Sequence, residues 1–200
     1  MIDIIFPKLH QEGYRFIVIF SVATLILFLI SSFFGLLSLI LTIWVYYFFR
    51  DPERYPIQDD SYLVSPADGV ISQIAEVDGP MDLGLENKKF TRISIFMNVF
   101  NCHVNRVPSS GKINKIFYKP GKFLNASLDK ASIDNERNYI SMTDTTGEEL
   151  VLVQIAGLIA RRIVCGVQEK DNLSKGDRFG IIRFGSRVDL YFQNYKIMVK

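Results

Sequence analysis

Two hundred residues suffice for one soluble core of roughly 100 to 200 residues plus an accessory segment. A formal net charge of +2, with no long run of Lys or Arg, excludes an electrostatic argument for a nucleic-acid partner. Cys102 and Cys165 are far apart and lack CxxC or Cys/His ligand spacing, which excludes a disulfide framework and a zinc site and leaves reduced thiols as the reading.

The 48% hydrophobic content is concentrated near the N-terminus. From Phe16 to Phe49 there are 34 residues without a charge, and as one straight helix they would extend about 51 Å, against a hydrocarbon core of about 30 Å. Ser31, Ser32 and Gly35 interrupt the run and permit a hairpin of two helices, roughly Phe16 to Ile30 and Phe33 to Phe49. A single tilted span with an interfacial extension competes with it. Trp44, Tyr46 and Tyr47 near the end suit the headgroup region, and Arg50 and Arg54 then place the following domain in the cytoplasm. A cleaved signal peptide would have a shorter apolar core and a small-residue cleavage site, and no A-x-A pattern follows this run. The expected division is residues 1–50 as a membrane segment and 51–200 as the catalytic domain, with the charged, proline-bearing stretch after Arg50 at the boundary.

Beyond Tyr62, short apolar stretches bounded by turn residues predict strands over Val70–Ile74, Arg92–Met97, Gly111–Tyr118, Asn138–Met142, Leu150–Ile155, Ile159–Val164, Arg178–Phe184 and Val188–Phe192. Pro and Gly punctuate them, and no helical period is sustained. The fold class expected is mainly β, a compact antiparallel domain behind a helical membrane segment. The connections 78–89 and 118–137 are polar, and the second is long enough for a functional loop or lid.

Candidates for chemistry are few. The chain has two histidines, and His10 lies beside the membrane run, which leaves His103, placed after a predicted strand where a rigid scaffold can aim a loop residue. Asp68 lies in Ser65-Pro66-Ala67-Asp68-Gly69, a tight turn before a strand; it could bond its own turn or orient a histidine. Cys102 and His103 are adjacent, so on a strand they would point to opposite faces and not act as a pair. Gly185-Ser186 alone is a dipeptide expected by chance in a chain of this size, and a bulge or turn between strands explains it.

Taken in order, the hydrophobic N-terminus, Phe48-Phe49-Arg50-Asp51-Pro52, Ser65-Pro66-Ala67-Asp68-Gly69, His103-Val104-Asn105-Arg106 with Pro108 and Gly111, Gln154-Ile155-Ala156-Gly157 and Phe184-Gly185-Ser186 resemble the short prokaryotic form of the phosphatidylserine decarboxylases, over nearly the whole chain. The resemblance implies a proenzyme that breaks its own Gly185–Ser186 bond into a β chain, 1–185, and an α chain, 186–200. The Ser186 hydroxyl would attack the Gly185 carbonyl, and elimination and hydrolysis would leave a covalent pyruvoyl group at residue 186. That cofactor would form a Schiff base with the serine amine of phosphatidylserine and release phosphatidylethanolamine and CO2. Asp68 and His103 match family positions assigned to this machinery, with His103 the candidate proton donor. Larger family members carry a second histidine three residues later, where this chain has Arg106. The resemblance further implies a homo-oligomer, while the apolar run with its following arginines places the chain at the inner membrane and the cysteine spacing gives no metal.

Arg106, Arg161, Arg162, Arg183 and Arg187 are possible phosphate or carboxylate contacts, or solvated surface charges. Two rival readings stay open: a membrane serine hydrolase using Ser186, His103 and Asp68, although no G-x-S-x-G elbow is present, and a non-catalytic lipoyl-like β module, for which Lys175 is a poor carrier lysine.

Overall fold

The computed structural model describes residues 6–124, 134–157, 162–183 and 186–198. The chain divides into two compact units, Met1–Glu53 and Arg54–Lys200.

In the first unit, α1 (Tyr14–Ile30) and α2 (Ser32–Phe48) form the helical hairpin, with Ser31 in extended conformation between them. The Ser31 hydroxyl accepts from the Phe33 amide at 3.3 Å and so caps α2. Gly35 faces the Phe28 ring so closely that a methyl group there would collide with it. Between the helices the Thr24 hydroxyl meets those of Ser38 at 2.8 Å and Thr42 at 2.9 Å, while Leu29, on the outside, is 88% exposed. Hydroxyls inside and leucines outside is an arrangement compatible with a lipid surround. Counted with its preceding turn, Gln11–Ile30 has 20 residues and is long and apolar enough to cross a bilayer, while Ser32–Phe48 is a shorter apolar helix. The base of the hairpin is closed by an antiparallel bridge between Leu9 and Arg50 and by the Tyr46 hydroxyl donating to the Pro7 carbonyl at 2.7 Å.

The second unit is all β among its described residues apart from short turns. Its strands are β1 (Val70–Asp78), β2 (Lys89–Met97), β3 (Val104–Arg106), β4 (Gly111–Lys119), β5 (Arg137–Asp144), β6 (Glu149–Ala156), β7 (Arg162–Cys165), β8 (Asn172–Leu173), β9 (Arg178–Arg183) and β10 (Ser186–Phe192). A seven-stranded sheet runs β1-β2-β10-β6-β5-β4-β8 and a three-stranded sheet runs β3-β9-β7, with all pairings antiparallel. The mainly antiparallel β class read from the sequence is the one observed.

The main core joins the two sheets. Ile95, Met97, Ile140, Leu152, Val188 and Leu190 from the large sheet pack with Val107, Ile163, Phe179 and Ile182 from around the small one. The apolar stretches that predicted the strands supply these side chains, every second one turning to the same face. Predicted and observed strands differ where tertiary pairing extends or shortens them. The strand expected over Ile159–Val164 is seen over Arg162–Cys165, residues 158–161 lying outside the described residues, and β3 and β8 are too short to carry a period. Of the long connection 118–137, β4 takes 118–119, β5 takes Arg137, and 125–133 lie outside the described residues.

Candidate active site

Ser186 is the first residue of β10, a central strand, and pairs with Met97 of β2 on one side and Ala156 of β6 on the other. It shares the inner sheet face with Val188, Leu190 and Phe192. The residue is completely buried, and its Oγ has no hydrogen-bond partner among the described residues. An unsatisfied buried hydroxyl forfeits about 1–3 kcal/mol. Such a group calls for an explanation, and a reactive role is one. Gly185, the expected other half of the scissile bond, lies outside the described residues.

His103 is brought to the same end of the core by a turn built from asparagines. The Asn101 side chain accepts from the Asn98 amide at 2.8 Å, and the Asn98 side chain accepts from the Phe100 amide at 2.8 Å, the local bonding that makes Asn a turn former. The chain then enters β3, where Val104 pairs with Ile181 and the His103 carbonyl accepts from the Ile182 amide at 3.4 Å. Only Arg183, Phe184 and Gly185 separate Ile182 from Ser186. The imidazole is fully buried, with Nδ1 3.0 Å from the Asn101 carbonyl. A carbonyl can only accept, so the neutral ring carries its hydrogen on Nδ1 and keeps a basic lone pair on Nε2.

Asp68 precedes β1, whose first residue Val70 pairs with Phe96, so it too lies at the Ser186 end of the sheet. Gly69 is required there because a Cβ would collide with the Phe96 carbonyl. The Asp68 carboxylate takes Arg54 as its partner, in an ion pair whose two side chains are 38% and 47% exposed. The partner found for the Asp68 carboxylate is thus a cation fourteen residues upstream. In an exposed position such a pair contributes little to stability.

Sequence reasoning missed a buried amide chain one residue level below Ser186. Gln154 sits opposite Val188 on β10 and Asn138 on β5. Asn138 donates to the Gln154 carbonyl oxygen at 3.0 Å, and Gln154 donates onward to Asn105 of β3 at 2.9 Å. All three are buried, so the amide chain ties the two sheets together beneath the site. Asn135 performs a related task. Its amide donates to the carbonyls of Ala156 at 2.7 Å and Leu124 at 2.8 Å, fastening both ends of the long connection beside Ser186. The available signal was a polar residue at an inward position of an otherwise apolar strand, as at Gln154.

The arginines separate. Arg106 donates to the Gly176 carbonyl at 2.9 Å, Arg162 is exposed, and Arg161 lies outside the described residues. Arg187 points to the outer sheet face, away from the Ser186 hydroxyl, and is paired with Asp189 with only 2% of its side chain exposed. Lys175 is buried, its ammonium donating to the carbonyls of Asp59 at 2.6 Å and Tyr62 at 2.9 Å, which removes it as a carrier lysine. No group of His, Cys, Asp and Glu suited to a metal ion occurs among the described residues. An apolar cavity of about 340 Å3 opens on the Ser186 side of the sheet, lined by Pro66, Ile71, Ile95, Leu190, Phe192 and Met198 among others.

Residues 41–200 match the family model for phosphatidylserine decarboxylase. A phosphatidylserine decarboxylase proenzyme of Pelagibacter ubique is 63% identical over 200 residues, covering 100% of this chain and 93% of that one. The proenzyme of Ruegeria pomeroyi is 53% identical over 96% of this chain and 87% of its own length, and that of Rickettsia typhi 52% identical over 94% and 81%. A buried serine hydroxyl without a partner among the described residues, a histidine that keeps a basic ring nitrogen at the same sheet end, and this coverage lead to one assignment: the chain belongs to the phosphatidylserine decarboxylase family.

Proposed function

We propose that the chain is a self-cleaving proenzyme that converts phosphatidylserine to phosphatidylethanolamine and CO2, using a pyruvoyl group made from Ser186. The observation that carries this reading is the buried Ser186 Oγ without a partner among the described residues, held at the start of a strand bonded on both sides. A bound carbonyl group at that position fits the surroundings, because residue 186 is enclosed by Met97 and Ala156 and shielded from water.

Processing draws on groups of the chain itself. The Ser186 hydroxyl gives its proton to a base and attacks the Gly185 carbonyl, shifting the acyl bond from nitrogen to oxygen. Loss of the Cα proton expels the Gly185 carboxylate, and water then displaces ammonia to leave the keto group. His103, with Nε2 basic, is the base for proton removal, and a buried imidazole positioned by its own Nδ1 bond suits that task. Asp68, engaged by Arg54, is assigned a supporting part in the same step. The products are a β chain, 1–185, and an α chain, 186–200, that stays seated through β10.

The pyruvoyl group would supply the electron sink that decarboxylation requires and that no standard side chain offers. His103 then holds a proton at Nε2 for delivery to the substrate carbon. The apolar cavity on the same sheet side suits a substrate with alkyl chains. Residues 1–50 anchor the protein at the inner membrane, with the catalytic domain, 51–200, in the cytoplasm and the assembly a homo-oligomer; the outward leucines of the hairpin and Arg50 and Arg54 after it support that placement.

The test is the intact mass of purified protein under denaturing conditions. Two fragments, the smaller beginning with a carbonyl-reactive residue lighter than serine, are expected. A single uncut chain without carbonyl reactivity overturns the reading and returns the serine hydrolase and the non-catalytic module to consideration.

A further inference from the structure

Backbone scission at residue 186 would create a problem that the outer face of β10 is built to meet. Once the link to Gly185 is gone, residue 186 is a chain end, and chain ends in sheets fray unless something holds them. The reacting group would sit on that end. Its usefulness depends on staying within a fraction of an ångström of its working position.

The next residue carries the restraint. Arg187 turns to the face opposite Ser186, as does Asp189 two residues on. Arg187 Nη2 donates to Asp189 Oδ2 at 2.9 Å, and Nε lies 2.8 Å from Oδ1 as a charge contact without hydrogen-bond geometry, with the side chains 2% and 1% exposed. Across the sheet, Arg187 lies level with Phe96 and Ile155, and Asp189 level with Ser94 and Val153. A pair so enclosed has no water to replace either partner, so separating it strands a buried charge. The pair ties residue 187 to residue 189 of the same strand, so bending the chain end away from residue 189 has to break it.

We propose that Arg187 and Asp189 are positioning residues that clamp the new N-terminus of the α chain from the far side of the sheet and fix the orientation of the group at residue 186. The proposal rests on the scission reading and concerns the cut state of the protein. It also accounts for a burial that adds little by itself, since apolar residues of similar volume would satisfy the same packing at no loss of stability.

The same principle supplies the test. The double variant Arg187→Met/Asp189→Leu removes the clamp without leaving a buried charge, and Asp189→Glu keeps a shifted clamp. Each is made as the full chain in detergent and measured for the extent of scission, for backbone amide exchange along 187–192, and for turnover per reactive carbonyl. For the double variant the expected result is a cut protein of unchanged melting temperature. The amides at 187–189 exchange at least about tenfold faster, those at 190–192 are unaltered, and kcat per carbonyl falls about tenfold or more with KM within about twofold. Asp189→Glu is expected to recover part of both losses. Wild-type exchange and wild-type kcat in the cut double variant would overturn the clamp. A folded double variant that fails to cut would also overturn it, by placing the pair's role before scission. If the wild-type protein itself is uncut and has no reactive carbonyl, the scission reading fails first, and that result is visible before any variant is compared.

Discussion

The two faces of β10 obey opposite rules. Ser186, Val188, Leu190 and Phe192 face the core, where three apolar side chains share the face with a hydroxyl that has no partner among the described residues. Arg187, Asp189 and Tyr191 face outward onto a surface that is buried yet polar, where Arg187 and Asp189 pair and Asp82 receives bonds from Lys119 at 2.7 Å and Tyr139 at 2.8 Å. One face sets a lone hydroxyl among apolar side chains, while the other pairs opposite charges. The difference teaches that one strand can carry a lone hydroxyl on an apolar face and a charged pair on the opposite one, because successive side chains alternate.

The comparison breaks most completely at its reactive member. Ser186→Ala should abolish scission, leaving one chain by intact mass and no carbonyl reactivity. His103→Gln should leave the strand in place and slow scission by about 100-fold or more, the usual range for losing a positioned base, as read from the time course of fragment appearance.

Stability probes sharpen the contrast. Asp189→Asn alone should cost about 3–5 kcal/mol, because it leaves Arg187 buried without its counter-charge. Asn105→Leu should cost about 1–3 kcal/mol by stranding the Gln154 amide on the inner side; denaturant midpoints measure both. The smallest effect is expected from Asp82→Asn. Burial pushes the Asp82 carboxyl up, but hydrogen bonds from Lys119 and Tyr139 and the nearby cations outweigh that and hold it below its ordinary value. A carboxyl lowered on folding contributes stability that is present above the unfolded value of about 3.9 and is lost as pH falls through the folded value. The gap in melting temperature between wild type and Asp82→Asn should therefore be open at neutral pH and close in acid.

Much of this was legible in the sequence, for reasons that differ by residue. The apolar stretches Leu150–Ile155 and Val188–Phe192 announced strands because turn residues bound them and both faces of these central strands are buried. The helical hairpin could be read from Ser31 and Gly35, since an extended serine and an absent Cβ are what the reversal uses. Ser186 and His103 were found through the company of their motifs rather than through any local signal. What stayed hidden was pairing between distant segments. Arg54 capturing Asp68, Gln154 bonding Asn105 across two sheets, and Arg187 turning from a prospective headgroup contact into half of a buried pair all depend on register, which a linear reading does not supply.

The Leu9–Arg50 bridge at the foot of the helical hairpin carries a topological consequence. A segment whose entrance and exit are hydrogen-bonded to each other hands the chain back at the level where it was received. If the hairpin enters a bilayer, Leu9 and Arg50 lie at one level of it, whatever depth the two helices reach.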